Sequence, residues 1–342
     1  MTPTDHARTR PVLHIVNDCS LGGVMLALKN FEHPVLNECF EHRIVNLSDL
    51  NKTRIRPGSI MVIHFTVSWI SLYRLIDMRR RSGLQRIILV EHSYTQGFEE
   101  NCVQNRSRFR MMLRLAYSLV DQIVAVSDAQ YAWLLKAKLA NRNKLFLIPQ
   151  ARDCSDLLAL PLKGREDGPL RLGAYGRFHD QKGFDILIKA MARINPAIAC
   201  LEIVGYGDQR EILEGLAASL PHVQIQPPFK SAATFLNDID VVCIPSRWEA
   251  FGLVGAEARA AGRPLIAAQI DGLKAQTGAH SWQHRPNDPD DIRRAILQAA
   301  NANDLPARGM RARLHVSGEF SDMLRHWTGL LKRQSSPSDV EA

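Results

Sequence analysis

The chain has 342 residues, of which 46% are apolar and 23% charged, and its formal net charge at pH 7 is +8. This length exceeds one ordinary hydrophobic core and suits two α/β domains. No stretch reaches the roughly 18 consecutive apolar residues that a membrane-spanning helix needs. Residues 1–10 lack an apolar signal core, so we expect a cytoplasmic protein.

The spacing of the cysteines and the distribution of charge along the chain further limit the kinds of site and partner that the protein could have. The cysteines are scattered without a C-x-x-C pair, which favours reduced, mostly buried thiols over disulfides or a zinc site. Residues 1–165 carry 23 Lys/Arg against 14 Asp/Glu, whereas the remainder carries 20 against 21. The basic excess therefore lies in the first half, which could face an anionic lipid, an anionic acceptor or nucleic acid. The six cysteines are Cys19, Cys39, Cys102, Cys154, Cys200 and Cys243.

Short apolar runs alternate with helical patterns along the whole chain, which predicts parallel sheets covered on both faces. A Gly- and Pro-containing stretch at 151–169 is the candidate linker between two such halves. Ligands of open α/β sheets bind at the carboxyl ends of the strands. Strands are predicted at 12–16, 59–64, 86–90, 122–126, 145–148, 171–174, 199–204, 223–226, 241–244 and 264–267, and helices at 24–30, 183–194, 209–218 and 321–332.

The segment 176–185, GRFHDQKGFD, lies between a predicted strand and a predicted helix. Arg177 and Lys182 bracket the turn between them. Two fixed cations at the mouth of a crevice suit a pyrophosphate, whose negative charge grows as it departs. The alternative is a pair of solvated surface charges.

The segment 245–257, PSRWEAFGLVGAE, follows another predicted strand and begins another predicted helix. The N–H groups of Phe251, Gly252, Leu253 and Val254 would point at an anion, which forms a phosphate cradle that needs no metal. In the loop, Glu249 can face a sugar. Glu257, one turn into the helix, can accept hydrogen bonds from a ribose diol. Alternatively, both glutamates are exposed charges.

These two segments resemble the donor-binding motifs of the family 4 glycosyltransferases, including their E-x7-E motif at Glu249 and Glu257. The resemblance covers nearly all of 171–268. It implies the GT-B fold: two Rossmann-like doubly wound domains that face an interdomain cleft. The corresponding domains are 1–160 for the acceptor and 161–318 for the donor, with a crossover helix at 319–334 that returns to the first domain and a disordered tail at 335–342.

The resemblance also implies a role for each matching residue. Arg177 and Lys182 would neutralise the donor diphosphate, Glu257 would hold the ribose and Glu249 would contact the transferred sugar. Gly22 and Gly23 would let the backbone of the first domain approach the donor phosphates. Members of the family retain anomeric configuration and require neither a metal nor another cofactor.

Two histidines lie at or just after the carboxyl ends of predicted strands. The resemblance places His92 beside the reacting sugar, although a lone histidine after a strand is more often packed or solvated. His64 closes another strand, and His14 lies inside an apolar strand as an expected core residue.

Two departures from the family pattern affect loops near the predicted site. Gln150-Ala151 replaces the usual Asn-Gly, which makes a left-handed residue less easy to accommodate in that turn. Asp271-Gly272 replaces two glycines of a later donor loop.

A basic amphipathic pattern at 104–120 interleaves arginines with Phe109, Met111 and Leu115, and a second arginine cluster lies at 79–81. Such a helix can lie on an anionic membrane, or it can be an ordinary helix with solvated arginines. No aromatic platform accompanies the basic patch, so nucleic acid is not an expected partner.

The expected function is transfer of a hexose-type sugar from a nucleotide-diphosphate donor, UDP before GDP, to a glycan or lipid-linked acceptor. The alternative within this fold is a catalytically silent nucleotide-sugar-binding subunit. A nicotinamide dehydrogenase is disfavoured because the G-x-G-x-x-G fingerprint is missing after the first strand.

Overall fold

The computed structural model describes residues 10–17, 23–53, 55–82, 86–164 and 166–333. These form two compact units. The first contains the described parts of 1–93, 103–152 and 320–342, and the second contains 94–102 and 153–319. Gly22 and the expected disordered tail at 335–342 lie outside the described residues.

The first unit is built on a six-stranded sheet in the order β2-β1-β3-β4-β5-β6, and every neighbouring pair is parallel. A parallel arrangement is expected where each strand is an almost wholly apolar run between helices. The strands are β1 (Arg10–Val16), β2 (Phe40–Asn46), β3 (Ile60–Ile63), β4 (Arg86–Glu91), β5 (Gln122–Ala125) and β6 (Leu145–Leu147).

The second unit repeats this plan with a sheet in the order β12-β11-β10-β7-β8-β9, again parallel throughout. Apolar side chains on its two faces form two separate clusters, so helices cover the sheet on both sides. The strands are β7 (Leu170–Arg177), β8 (Ala199–Tyr206), β9 (Val223–Gln226), β10 (Val241–Ile244), β11 (Leu265–Ala268) and β12 (Ser281–His284).

Helices connect the strands in both units, and short 3-10 turns complete the connections. The helices are α1 (Gly23–Leu28), α2 (Pro34–Asn37), α3 (Trp69–Ser82), α4 (Gln96–Cys102), α5 (Arg106–Ser118), α6 (Asp128–Lys136), α7 (Ser155–Leu158), α8 (Phe184–Met191), α9 (Arg210–Ala217), α10 (Ala232–Asp238), α11 (Leu253–Ala260), α12 (Pro289–Ala300), α13 (Leu305–Val316) and α14 (Glu319–Lys332).

Helix α14 belongs to the first unit from residue 320 onward. Its Trp327 ring packs edge-on against Phe31, with centroids 5.0 Å apart. The buried guanidinium of Arg86 in β4 donates to the carbonyls of Leu331 at 3.0 Å and Arg333 at 2.5 Å. The last helix thus completes the core of a unit whose other elements precede residue 153.

Residues 94–102 depart from the expected first domain, because they pack with the second unit. Thr95 Oγ1 donates to Asp271 Oδ2 at 2.7 Å, and the Gly97 N–H donates to Asp271 Oδ1 at 3.0 Å. The Phe98 ring lies 5.9 Å from that of Trp248. These contacts are the physical reason for the difference.

The five described cysteines are free thiols, but only Cys154 and Cys243 are buried. Cys39 and Cys102 are exposed, so the expectation of mostly buried thiols was wrong for them. His14 is fully buried and hydrogen-bonded, as predicted for a core histidine. Among the described residues, no helix is long and apolar enough to span a membrane.

Candidate active site

The two motif segments of the second unit are clamped side by side. The backbone N–H of Arg247 donates to the Gln181 carbonyl at 2.7 Å, and Gln181 Nε2 donates to the Trp248 carbonyl at 3.0 Å. The Arg247 guanidinium also donates to the Asp180 carbonyl at 2.6 Å and to Asp185 Oδ2 at 2.9 Å. One arginine therefore fixes the position of the turn that carries Lys182.

Gly183 is the residue that permits this close approach. Its φ is +65°, a left-handed conformation that favours glycine. A Cβ at this position would lie 2.3 Å from the Pro245 carbonyl oxygen. The glycine after Lys182 is thus required both by backbone conformation and by the neighbouring segment.

The clamp brings Lys182 and Glu249 together. Lys182 Nζ lies 2.5 Å from Glu249 Oε2, and the two side chains are only 20% and 11% exposed. The Ser246 hydroxyl lies 3.4 Å from the same carboxylate oxygen. Arg177, at the end of β7, is exposed, and no carboxylate among the described residues pairs with it. The structure thus joins two predicted site residues and leaves the other cation open to solvent.

The start of α11 carries the N–H groups that the sequence predicts to cradle an anion. Gly252 caps the helix with φ +91°, and a Cβ there would lie 2.7 Å from Leu273 Cδ2. Gln276 Nε2 donates to the carbonyls of Phe251 at 2.5 Å and Gly252 at 3.0 Å. Because C=O and N–H point in opposite directions in a trans peptide, the N–H groups of Gly252 and Leu253 face away from Gln276. The first-turn N–H groups of Leu253 and Val254 have no intrahelical partner.

Glu257 is buried within α11, with its carboxylate next to an aromatic cluster. The Tyr175 hydroxyl donates to Glu257 Oε2 at 2.6 Å. The Tyr175 ring packs against Phe229 and Phe235, with centroids 5.2 and 5.5 Å apart. Both phenylalanines line a cavity of about 440 Å³, with Gln226, Lys230, Ser231, Thr234 and Asp238 among its other walls. The tyrosine therefore connects the predicted ribose carboxylate to a cavity large enough for a heterocyclic ring.

Asp271 occupies the position where the family pattern has a glycine, and it adopts a glycine-like φ of +32°. Its carboxylate also accepts from the backbone N–H of Glu249 at 3.2 Å, in addition to Thr95 and Gly97. Burial raises the pKa of Asp271, while these hydrogen bonds act to lower it. In the other departing loop, Gln150 and Ala151 need no left-handed conformation.

His92 lies in the first unit, directly after β4. Its Nε2 is 3.0 Å from His64 Nδ1, and burial lowers its pKa to about 4. The neutral ring is therefore the form present near pH 7. Gly23 begins α1 in the same unit, and a Cβ there would meet open space.

The basic helix predicted at 104–120 is α5, which packs against α3. Met111 and Leu115 are exposed on α5, as are Arg106 and Arg108. Arg79 and Arg81, in contrast, are paired with Asp121 and Asp77 respectively. The exposed apolar side chains of α3 are Trp69, Ile70, Tyr73 and Ile76.

Several contact residues were missed at the level of sequence. Tyr175, Gln276, Thr95 and Arg247 hold the predicted side chains or backbone groups in place, although no motif assigns them a role. Arg247 lies inside the motif PSRWEAFG and could have been found as a cation beside the carboxylates of the 176–185 segment. The other three depend on tertiary contacts.

Within the described ranges, no three His, Cys, Asp or Glu side chains are grouped so that they could hold a metal ion.

Comparisons with known proteins define the class to which this fold and site belong. Residues 169–302 match the family model described as glycosyl transferases group 1. An uncharacterized glycosyltransferase of Methanocaldococcus jannaschii is 30% identical over 272 residues, which are 77% of this chain and 72% of that protein. The chain therefore belongs to the group 1 glycosyltransferases.

Other relatives match over shorter parts of their length. A D-inositol 3-phosphate glycosyltransferase of Nocardia farcinica is 29% identical over 224 residues, which are 58% of this chain and 49% of that protein.

Solved structures share the fold across almost the whole chain. HepE from Anabaena, in complex with UDP-glucose, superposes with a TM-score of 0.72 at 16% identity and covers 94% of this chain and 99% of its own. Sucrose-phosphate synthase from Thermosynechococcus elongatus gives 0.73 at 20% identity, with coverages of 94% and 98%. The predicted GT-B fold class is thereby confirmed.

Proposed function

We propose that this glycosyltransferase transfers a hexose-type sugar from a nucleotide-diphosphate donor, with UDP favoured over GDP, to a glycan or lipid-linked acceptor. The reaction would retain anomeric configuration, use no divalent ion, and serve surface polysaccharide or glycolipid synthesis. The observation that carries the proposal is the clamped pair of Lys182 and Glu249 beside the first turn of α11.

The leaving diphosphate would be stabilised by positive groups that are already in place. An ammonium has three N–H donors, so Lys182 can keep its hydrogen bond to Glu249 and still donate to phosphate oxygens. The exposed guanidinium of Arg177 and the free N–H groups at Leu253 and Val254 would add further donors. Preorganised donors of this kind stabilise a transition state by about 3 kcal/mol each.

The nucleoside would be held by Glu257 and the aromatic cluster. A carboxylate suits the two hydroxyl donors of a ribose, and the Tyr175 hydroxyl orients it at 2.6 Å. The cavity of about 440 Å³ next to Phe229 offers an apolar wall for a base, with Gln226 and Ser231 for its polar edge. HepE, whose fold is similar, is known in complex with UDP-glucose, which supports a uridine nucleotide as the first candidate.

Glu249 would contact the transferred sugar itself. In the front-face mechanism that the family resemblance implies, a donor phosphate oxygen takes the proton of the acceptor hydroxyl. No side chain then needs to act as general base. His92, neutral near pH 7, would hydrogen-bond to a sugar hydroxyl.

Part of the first unit is suited to contact with an anionic membrane where lipid-linked acceptors reside. The membrane patch, as we name it, comprises Trp69, Ile70, Tyr73 and Ile76 of α3 with Arg108, Met111 and Leu115 of α5. Ile70 is 79% exposed and Tyr73 is 59% exposed, and as neighbours on one helix they contribute to a contiguous apolar patch, which is the kind of surface that marks a membrane or protein contact. The Arg108 guanidinium lies 5.5 Å from the Trp69 ring centroid, which joins the two helices into one surface. Apolar side chains with arginines favour insertion at an anionic interface.

Thermal-shift measurements against UDP-, GDP- and ADP-sugars test the proposal, since a ligand that binds only the folded state raises Tm. We expect the largest shift with a UDP-sugar, unchanged by EDTA, and a much smaller shift for Glu257→Gln. The matched control is Glu214→Gln, an exposed carboxylate paired with Arg210 on α9. Absence of any shift with all donors would contradict the proposal.

A donor-hydrolysis assay separates the enzyme from a catalytically silent binding subunit. The enzyme should release the nucleoside diphosphate slowly in the absence of acceptor, and Lys182→Ala should reduce that release by a factor of about 100 to 1,000. Donor binding without any release, even with acceptor glycans or lipids added, would favour the silent subunit.

A further inference from the structure

Four histidine side chains form a continuous hydrogen-bonded row across the sheet of the first unit. The ring nitrogens His42 Nδ1 and His14 Nε2 are 2.9 Å apart, His14 Nδ1 and His64 Nε2 are 2.9 Å apart, and His64 Nδ1 and His92 Nε2 are 3.0 Å apart. The row follows the strand order β2, β1, β3 and β4. It ends on the histidine that the proposed function places beside the sugar.

The rings of the row are neutral. Burial, together with the neighbouring histidines, lowers the pKa of His14 and His64 well below the usual value. Burial lowers the pKa of His42 to about 4, against an opposing effect of the Leu36 carbonyl, and that of His92 also to about 4. The Phe31 ring packs 4.2 Å from that of His14, so an apolar group covers the row.

Neutrality restricts the row to two arrangements of protons. A neutral imidazole has one N–H donor and one acceptor nitrogen. At each of the three contacts, one nitrogen must donate and the other accept. Because every contact joins an Nδ1 to an Nε2, all four rings must carry the proton on Nδ1 or all four on Nε2. The tautomer of His92 is therefore tied to that of His42, three rings away.

The two arrangements differ in energy at the His42 end. There they place either an N–H or a lone pair on Nε2, which is buried and makes no hydrogen bond of ordinary geometry to a described residue, while the Leu36 carbonyl acts on the same ring as an acceptor. An unpaired buried donor and an unpaired buried acceptor are not equally costly. The environment of His42 thus selects one arrangement for the whole row.

We propose that His42, His14 and His64 are positioning residues that hold His92 in a single neutral tautomer, so that its Nδ1 offers the ligand one fixed hydrogen-bonding character. The ligand is the sugar of the donor, and this assignment of the ligand rests on the proposed function. The tautomer itself is a property of the ligand-free protein.

Long-range proton–nitrogen NMR of the full chain near neutral pH tests the proposal without any ligand, because the ¹⁵N shifts of an imidazole distinguish its tautomers. We expect all four rings to be neutral and to share one tautomer. A wild-type spectrum in which the four rings differ in tautomer would overturn the proposal. This measurement needs no variant to fold and does not depend on whether a nucleotide sugar binds.

Variants test transmission along the row. His14→Phe removes a ring that does not touch His92, and we expect it to convert His92 to a mixture of tautomers. The matched control is Phe31→Leu, which alters packing on the same ring but removes no hydrogen bond, and it should leave the shifts of His92 unchanged. His42→Phe, at the half-buried end, serves the same purpose if His14→Phe does not fold. Unchanged His92 shifts in the folded row variants, or an equal change in Phe31→Leu, would overturn the proposal.

Donor binding provides a second readout. If His92 is a mixture of tautomers, only a fraction of the molecules has the tautomer that binds the donor. His14→Phe and His42→Phe should therefore bind the donor about 2- to 10-fold more weakly than Phe31→Leu. Tautomer changes with no loss of donor affinity would overturn the assignment of the sugar as the ligand of His92 Nδ1.

Discussion

Lys182 Nζ and Glu249 Oε2 are 2.5 Å apart, and 67 residues separate the two in sequence. The pair joins the turn after β7 to the loop after β10, two strands that are neighbours in the sheet. Because both side chains are mostly buried, neither can be removed without leaving the other charge poorly compensated. The pair is therefore a structural unit that links the two segments.

Lys182→Ala should reduce transfer by a factor of about 100 to 1,000, because a preorganised donor to the leaving group is lost. Lys182→Arg should retain more activity, since it keeps a positive charge near Glu249. Steady-state kinetics with a saturating donor would measure both. The control is Arg193→Ala, which removes an exposed cation that pairs with Asp290 in the same unit. An equal loss in the control, or full activity of Lys182→Ala, would contradict the assigned role.

Asp271→Ala should destabilise the protein and weaken catalysis together. The change leaves the Thr95 hydroxyl and the N–H groups of Gly97 and Glu249 without their acceptor, at about 1–3 kcal/mol for each group that stays buried. It also places alanine at a φ of +32°. Chemical denaturation would measure the free energy of unfolding.

Asp271→Gly separates the two effects, because glycine accepts this φ but supplies no carboxylate. We expect it to be more stable than Asp271→Ala and still less stable than the wild type. A glycine variant as stable as the wild type would show that the three hydrogen bonds contribute nothing.

Replacement of Ile70 and Tyr73 by serine should weaken binding to vesicles that contain anionic lipid, and it should leave donor hydrolysis unchanged. Co-sedimentation with phosphatidylglycerol-containing vesicles would measure binding, with pure phosphatidylcholine as the neutral comparison. Ile212→Ser is the matched control, because Ile212 is 60% exposed on the second unit. Equal binding of the double variant and the wild type would rule out the membrane patch.

The free energy of unfolding should fall as the pH is lowered from about 6.5 to about 4. The pKa values of His42 and His92 are lowered to about 4, whereas unfolded histidines titrate near 6.5. In this window the unfolded state binds more protons, so acid favours unfolding. Each histidine adds at most about 1.4 kcal/mol per pH unit to the slope.

Urea denaturation at several pH values within that window would measure the slope. His42→Phe should reduce it, whereas His326→Phe, which replaces a surface histidine of α14, should not. A slope that is the same in the wild type and in His42→Phe would show that His42 is not held neutral by the fold.

Sequence reasoning found the elements that carry the site because local signals coincide there. An apolar run, a glycine and a helical pattern placed β10, Gly252 and α11 correctly. It missed β2 and β12, each of which lies at one edge of its sheet, whereas the opposite edges, β6 and β9, were predicted. Their sequences, FEHRIVN and SWQH, have no continuous apolar run, and polar side chains stand at several of their positions.

The contacts of Asp271 could not be predicted in the same way. Thr95 and Asp271 are 176 residues apart in sequence, and their meeting depends on the assembly of a whole unit. The sequence shows that Asp271 departs from the family pattern. It does not show that this carboxylate accepts hydrogen bonds from Thr95, Gly97 and Glu249, because the donors around a side chain depend on the tertiary structure. The histidine row was also hidden, because two of its members lie in β2 and β1 and the other two directly follow β3 and β4.

The position of Arg86 has a consequence for synthesis on the ribosome. This guanidinium is buried in the fourth strand of the first unit, and its acceptors are the carbonyls of Leu331 and Arg333. Until residues 327–333 of the nascent chain have been synthesised, Arg86 has neither of these acceptors and Phe31 has no Trp327 ring to pack against. The strands of the first unit are translated first. Its core nevertheless cannot be completed until the end of the chain has been translated.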